Sequence, residues 1–329
     1  MAVVVTGAAG FLGRALVAAL AADGVPVVAV DRRPGAGWSA DLPPADHPGR
    51  GSGAVTALRA DLLAGDPAVQ AALREADAVF HLAGRPGVRD TGPAAEAARV
   101  RDNVAATAAV LAAVPPATPL VVTSSSSVYG GAAGRPSREA DPLRPLGGYA
   151  RSKAAVEALC AARGGAVTVL RPFTVAGEGQ RPDMALARWI AAARAGRPLR
   201  VLGSPARTRD VTDVRDLVRA LRLAAERDVR GVLNVGTGRP RTLAELAAAV
   251  CRALGAPAEL VLEPAVAVEP AASWADTTLL RRRLGFVPVT ELDELVARQA
   301  AAGSPAGSTG SAGSAGSPAA APIPVLAAR

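Results

Sequence analysis

Residues 2–13, Ala2-Val3-Val4-Val5-Thr6-Gly7-Ala8-Ala9-Gly10-Phe11-Leu12-Gly13, decide how the chain folds. The β-branched run Val3-Val4-Val5 leads into glycines at 7, 10 and 13, and an alanine- and leucine-rich helical stretch follows, ending near Asp23-Gly24. This is strand, glycine turn, helix. The glycines allow a tight turn, close backbone approach to a pyrophosphate and close helix packing, while the free N–H groups at the helix start favour an anion. A second β run, Val25 to Val30, ends in Asp31, where an acid can accept adenosine ribose hydroxyls and repel a 2′-phosphate. The pattern predicts a dinucleotide site and favours NAD over NADP, against the pull of Arg32 and Arg33, which could welcome a phosphate.

Strand and helix patterns go on alternating to Ala166–Phe173, read as the sixth parallel strand of a doubly wound α/β sheet. Beyond it the pattern loosens, with helices expected near 184–195, 214–227, 242–254 and 291–302. A strand at Gly231–Val235 is expected to return to the sheet. Residues 1–173 thus read as a nucleotide-binding domain and 174–302 as a smaller substrate lobe. The Gly-, Pro- and Asp-rich stretch Pro34–Gly53 reads as a long mobile loop. From Gly303 to about Pro318 the chain is a Gly/Ser/Ala/Pro tract, so 303–329 is expected to be a flexible tail outside the folded unit.

At 329 residues, half of them hydrophobic, the chain is long enough to bury a large core in one two-lobed unit. No apolar run approaches the roughly 20 residues needed to span a bilayer, and no basic segment precedes an apolar one at the start. A cytoplasmic protein without a membrane partner is expected. Cys160 and Cys251 stand singly and there are two histidines, so neither a disulfide framework nor a metal site is indicated. The net charge of +8 comes from scattered arginines, and aromatics are 3% of the chain, which leaves no basic stripe or stacking platform for nucleic acid. An anionic small substrate suits the sign better. Richness in Ala, Arg, Gly and Pro also looks like a GC-rich genome, which makes much of the charge a codon effect.

Of the 37 basic side chains only Lys153 is lysine, and it follows Tyr149 by four residues in Tyr149-Ala150-Arg151-Ser152-Lys153. On a helix the two share a face, so the ammonium can favour the ionised phenol and fit it for general-base work. Taken alone, the pair could equally be a coincidence on a solvated face. Its companions argue otherwise: Asp61-Leu62 after a third strand, His81-Leu82-Ala83-Gly84 after a fourth, Asn103 in the next helix, and Ser124 to Gly130 as SSSSVYG.

With these motifs in this order the chain resembles, from residue 1 to about 300, an extended short-chain dehydrogenase/reductase of the nucleotide-sugar epimerase/dehydratase family. The resemblance implies a Rossmann doubly wound parallel sheet with a smaller C-terminal substrate lobe, NAD as cofactor, a UDP-sugar as substrate and a homodimer. Carried over residue by residue, the cofactor set is Gly7, Gly10, Phe11, Leu12, Gly13, Asp31, Arg32, Asp61, Leu62, Leu82, Ala83, Gly84, Asn103, Tyr149 and Lys153. The catalytic set is Tyr149, Lys153 and Ser125. His81, a lone histidine at a strand end, reads as a buried hydrogen-bonding residue.

Ser126 and Ser127 stand where dehydratases of the family place Asp-Glu, and where UDP-glucuronate decarboxylases place Glu at the second position. Without an acid there, the resemblance favours an epimerase. Phe173-Thr174-Val175 and Gln180-Arg181-Pro182-Asp183-Met184-Ala185 are similar to a segment of UDP-uronate 4-epimerases, in which the threonine and arginine address the sugar carboxylate. An arginine fork offers a carboxylate two parallel charge-assisted hydrogen bonds. The implied substrate set is therefore Arg89, Ser125, Ser126, Ser127, Tyr149, Thr174, Arg181, Arg209 for the diphosphate, and Asp276 of Trp274-Ala275-Asp276. Three positions depart from the pattern: Val266 stands near a usual diphosphate arginine, Ala176 replaces a tyrosine and Gly179 a common arginine. A UDP-glucose/UDP-galactose 4-epimerase is the main alternative, followed by a nucleotide-sugar decarboxylase or dehydratase and a non-catalytic NAD(H)-sensing protein.

Overall fold

A computed structural model describes residues 2–33, 53–87 and 89–302. The expected tail, and the expected 34–53 loop up to its last residue, lie outside the described residues. In chain order the first lobe holds β1 (Val3–Thr6), α1 (Phe11–Ala22), β2 (Val27–Asp31), β3 (Val55–Arg59), α2 (Pro67–Glu75), β4 (Ala78–His81), α3 (Pro93–Arg99), α4 (Ala106–Ala113), β5 (Leu120–Thr123), α5 (Gly147–Arg163) and β6 (Val167–Pro172). There follow β7 (Val175–Ala176), α6 (Ala185–Arg194), β8 (Leu199–Leu202), β9 (Thr208–Arg209), β10 (Thr212–Asp213), α7 (Val214–Glu226), β11 (Gly231–Val235), β12 (Arg241–Thr242), α8 (Leu243–Leu254), β13 (Leu260–Glu263), α9 (Thr278–Leu284) and α10 (Leu292–Ala301).

The main sheet has seven parallel strands in the order β11-β6-β5-β4-β1-β2-β3, and β11 does return to it beside β6. Strands β4 and β5 are buried at every residue, as expected of short apolar strands covered on both faces. Strand order reverses at β1, whose neighbours are β2 and β4, and Thr6 lies in register with both Val30 and His81. The crevice beyond the carboxyl ends of strands at such a switch point is where doubly wound folds bind ligands.

Two apolar layers cover the sheet. On one face α1, α7 and α9 pack Leu16, Leu20, Leu217, Leu221, Leu280 and Leu284 against Val5, Phe80 and Leu170. On the other, α2, α4 and α5 bring Leu73, Val110, Val156 and Cys160 onto Val4, Val79 and Val122. The boundary expected at 173 is therefore too simple. Besides β11, helices α7 and α9 belong to the sheet's own core, because their apolar stripes have no other surface to bury. A second lobe is built from the rest, with Trp189, Ile190, Leu246, Val250, Leu295 and Val296 forming a separate core around α6, α8, α10 and the parallel pair β8–β13. Among the described residues no helix is long and apolar enough to cross a membrane, and no cluster of His, Cys, Asp or Glu could hold a metal.

Candidate active site

One cleft of about 1050 Å³ runs from the glycine turn, over the ends of β4 and β5, to the loops of the substrate lobe. At its first end backbones pack so closely that side chains are excluded. Gly7 has φ +72°, and a Cβ there would lie 2.5 Å from the amide nitrogen of Ala83, while one on Gly13 would lie 2.2 Å from the Gly7 carbonyl oxygen. Helix α1 starts at Gly10 with no side-chain cap and no acid in its first turn, which leaves its leading N–H groups to a ligand. Phe11, Leu12, Leu62, Leu82, Ala83 and Gly84 line the same cleft. Asp31, at the end of β2, accepts hydrogen bonds from the Ala9 N–H (3.0 Å) and the Arg33 N–H (2.9 Å). Arg32 forms a bidentate pair with Asp102 at 2.9 and 3.1 Å, and Arg101 pairs with Asp61, whose carboxyl it holds below the usual range. With Arg32, Arg33 and Arg101 set against acids, the end of β2 suits an unphosphorylated ribose, so the residues present fit NAD.

Asn103 stands elsewhere than expected. It is buried within a π-type turn (Val100–Ala105), accepts from the Arg85 N–H (2.5 Å) and donates to the Arg85 carbonyl (3.2 Å) and to Ser152 Oγ (2.8 Å). It does not line the cleft; it fixes the strand-end loop that does. His81 fills its expected structural place, its ring nitrogens 2.7 Å from Thr6 Oγ1 and 3.0 Å from Thr107 Oγ1, and burial pushes its pKa down to about 3.

At mid-cleft α5 presents Tyr149 and Lys153 beside the end of β5. Burial pushes the Tyr149 phenol above its usual pKa, countered by a hydrogen bond with Ser125 and by the charge of Arg181. The buried Lys153 ammonium donates to the Thr123 carbonyl oxygen at 2.8 Å, and desolvation lowers its pKa to about 8. Residues Ser126–Tyr129 form a 3₁₀ turn rather than a strand end, with Ser125 Oγ accepting from the Ser127 N–H at 3.1 Å. The Ser127 hydroxyl is buried without a partner among the described residues, and it lines the cleft.

Sequence reasoning missed the buried chain beneath these loops. Ser124 donates to Glu157 (2.5 Å), Glu157 is clasped by Arg171 at 2.9 and 2.6 Å, Arg171 donates to the Tyr129 hydroxyl (2.7 Å), and Tyr129 donates to Asn234 of β11 (2.7 Å). Helical spacing of Glu157 from Lys153 was its only trace in the sequence.

On the substrate side Thr174, Arg181 and Arg209 line the cleft, as does Arg89. Two acids not foreseen as partners occupy these arginines. Asp183 holds Arg181 in a two-bond pair, and Glu269 lies 2.6 Å from Arg89 and 3.6 Å from Arg209. Asp276 falls outside the cleft, accepting from the Thr278 N–H (2.9 Å) and from Arg138 (3.2 Å) at the approach to α9.

Comparison with known proteins agrees with this geometry. Residues 3–236 match the model of the NAD dependent epimerase/dehydratase family. The UDP-glucose 4-epimerase of Mycolicibacterium smegmatis is 33% identical over 91% of this chain and 97% of its own. Among solved structures, MoeE5 in complex with UDP-glucose and NAD is 37% identical, with a TM-score of 0.79 over 92% of this chain and 98% of that one. The UDP-glucuronic acid 4-epimerase of Bacillus cereus, in complex with UDP-glucuronic acid and NAD, is 28% identical with a TM-score of 0.81 over the same shares. A family match over most of the chain, joined to a glycine turn and a Tyr-Lys pair in one cleft, makes this chain a member of the NAD dependent epimerase/dehydratase family.

Proposed function

We propose that the protein interconverts the 4-epimers of a UDP-sugar, UDP-glucuronate and UDP-galacturonate, through a 4-keto intermediate. The observation that carries this reading is the lining of one cleft by Tyr149 and Ser125 together with Thr174, Ser127 and Arg181, with hydroxyls at 126 and 127 where elimination would need an acid. MoeE5 has been solved with UDP-glucose and with UDP-glucuronic acid, and the Bacillus cereus relative is a UDP-glucuronic acid 4-epimerase, which supports both the sugar class and the uronate.

Bound NAD supplies an acceptor that takes a hydride from the sugar and returns it. Tyr149 removes the proton of the 4-hydroxyl as general base, and Ser125, which lines the cleft beside it, holds the sugar oxygen through the change from alcohol to ketone. Lys153, anchored on the Thr123 carbonyl and on the same face of α5 as Tyr149, keeps a positive charge near neutral pH, which favours the ionised phenol against the effect of burial. Arg181 exchanges Asp183 for the sugar carboxylate, with Thr174 and the unpartnered Ser127 hydroxyl completing that grip. The ketone of a uronate is a β-keto acid. Holding its carboxylate firmly restrains loss of carbon dioxide while the sugar turns its other face.

Purified protein incubated without added cofactor with UDP-glucuronate, and separately with UDP-glucose, tests the assignment. UDP-galacturonate forming faster than UDP-galactose is the expected result. Faster UDP-galactose would move the function to the neutral-sugar epimerase, UDP-pentose would make it a decarboxylase, and no conversion of either would leave a dinucleotide-sensing protein.

A further inference from the structure

Arg14 belongs to the first turn of α1, four residues after Gly10 and so on the face that carries the glycine turn. Its guanidinium joins the two walls of the cleft: Nη1 donates to the Ala9 carbonyl (2.7 Å) inside the turn, and Nη2 to the Gly179 carbonyl (3.3 Å) in the loop leading to α6. Gly179, at φ +77°, has no side chain, and a Cβ there would stand 3.4 Å from that same nitrogen, so this glycine leaves the space that Arg14 reaches into. Seven other arginines of the cleft, Arg32, Arg33, Arg89, Arg101, Arg181, Arg200 and Arg209, already face a carboxylate. Arg14 does not: its partners among the described residues are carbonyl oxygens, which leave its charge uncompensated and part of its five-donor fork open to the cleft.

A cation held against the uncapped start of α1, beside the glycine turn, is placed for an anion lying on that turn. We propose that Arg14 clamps the diphosphate of the cofactor against the glycine turn, and that its bond to Gly179 ties the substrate-lobe loop to the occupied site. The proposal rests on the fit of NAD to the turn and is independent of which sugar is turned over.

The test compares wild type with Arg14→Met and Arg14→Lys in the full chain, each stripped of nucleotide. A thermal midpoint of the stripped Met variant matching wild type shows an intact fold. Should that variant fail to fold, Arg14→Lys carries the comparison, because an ammonium offers a point charge without the planar fork. NAD affinity is expected to fall about 10- to 100-fold in Arg14→Met, the scale of one charge-assisted hydrogen bond, with a smaller loss in Arg14→Lys. The nucleotide released by heating the purified proteins falls in the same order. Adenosine, which lacks the diphosphate, is expected to bind all three forms alike. An NAD affinity within twofold of wild type overturns the proposal, as does an equal weakening of NAD and adenosine, which would report a disturbed turn.

Discussion

Tyr149 and Lys153 share one face of α5, where the phenol lines the cleft with Ser125 and the ammonium donates to the Thr123 carbonyl. Replacing Tyr149 by Phe removes the base and keeps the packing, so kcat should fall about 10²- to 10⁴-fold with bound NAD retained. Asp183→Asn frees the Arg181 fork of its internal carboxylate, and the expected outcome is a lower KM for UDP-glucuronate with little change for UDP-glucose. His81 gives a prediction about stability. Its pKa is near 3 in the fold against an ordinary 6.5, so the unfolded chain binds the extra proton between those values, and stability falls as pH drops through that window. The slope is about 1.4 kcal/mol per pH unit, and His81→Gln should lack it when urea midpoints of the two forms are compared from pH 7 to 4. Residue type and short spacing were legible in the sequence, and Tyr149, Lys153, Ser125, Thr174 and Arg181 all line one cleft. Roles that depend on distant partners were not. Nothing in the sequence pairs Glu269 with Arg89 across 180 positions, or Asn103 with Arg85 and Ser152 and Asp276 with Arg138 and the Thr278 N–H.

At the scale of elements, the glycine turn and the buried chain under α5 set the precision of the site. A methyl group on Gly13 has no space between α1 and the turn, so Gly13→Ala should cost about 1–3 kcal/mol by overpacking, read from denaturation of the nucleotide-free protein, and weaken NAD retention with it. Glu157 and Arg171 are nearly inaccessible, at 7% and 4% exposure. Glu157→Gln leaves Arg171 as a buried cation without its counter-charge, for which a loss of about 3–5 kcal/mol is expected in the same measurement. A kcat loss without any stability change would contradict this structural role. The periodic elements were legible because each has a strong apolar pattern: α6, α8 and α10 end within two residues of the expected limits. The two-residue strands, α9 and the π-type turn were not, because they are too short to carry a period and are fixed by tertiary contacts.

For the whole molecule, the sheet order and its switch point place the dinucleotide groove, and the second core places a set of arginines across from it. The division at 173 was legible only in outline. An amphipathic stripe such as that of α7 shows that a helix is buried, not which core receives it, and the chain crosses between lobes several times. In the proposed function both lobes together carry out a reaction in which the hydrogen at carbon 4 leaves and returns without meeting water. The direct measurement is to incubate the purified protein, with no added cofactor, with UDP-glucuronate deuterated at carbon 4 in ordinary water, and to examine the product by mass spectrometry and NMR. UDP-galacturonate carrying the deuterium at carbon 4 is the predicted result; protium at that position, or a UDP-pentose in place of the uronate, would contradict it.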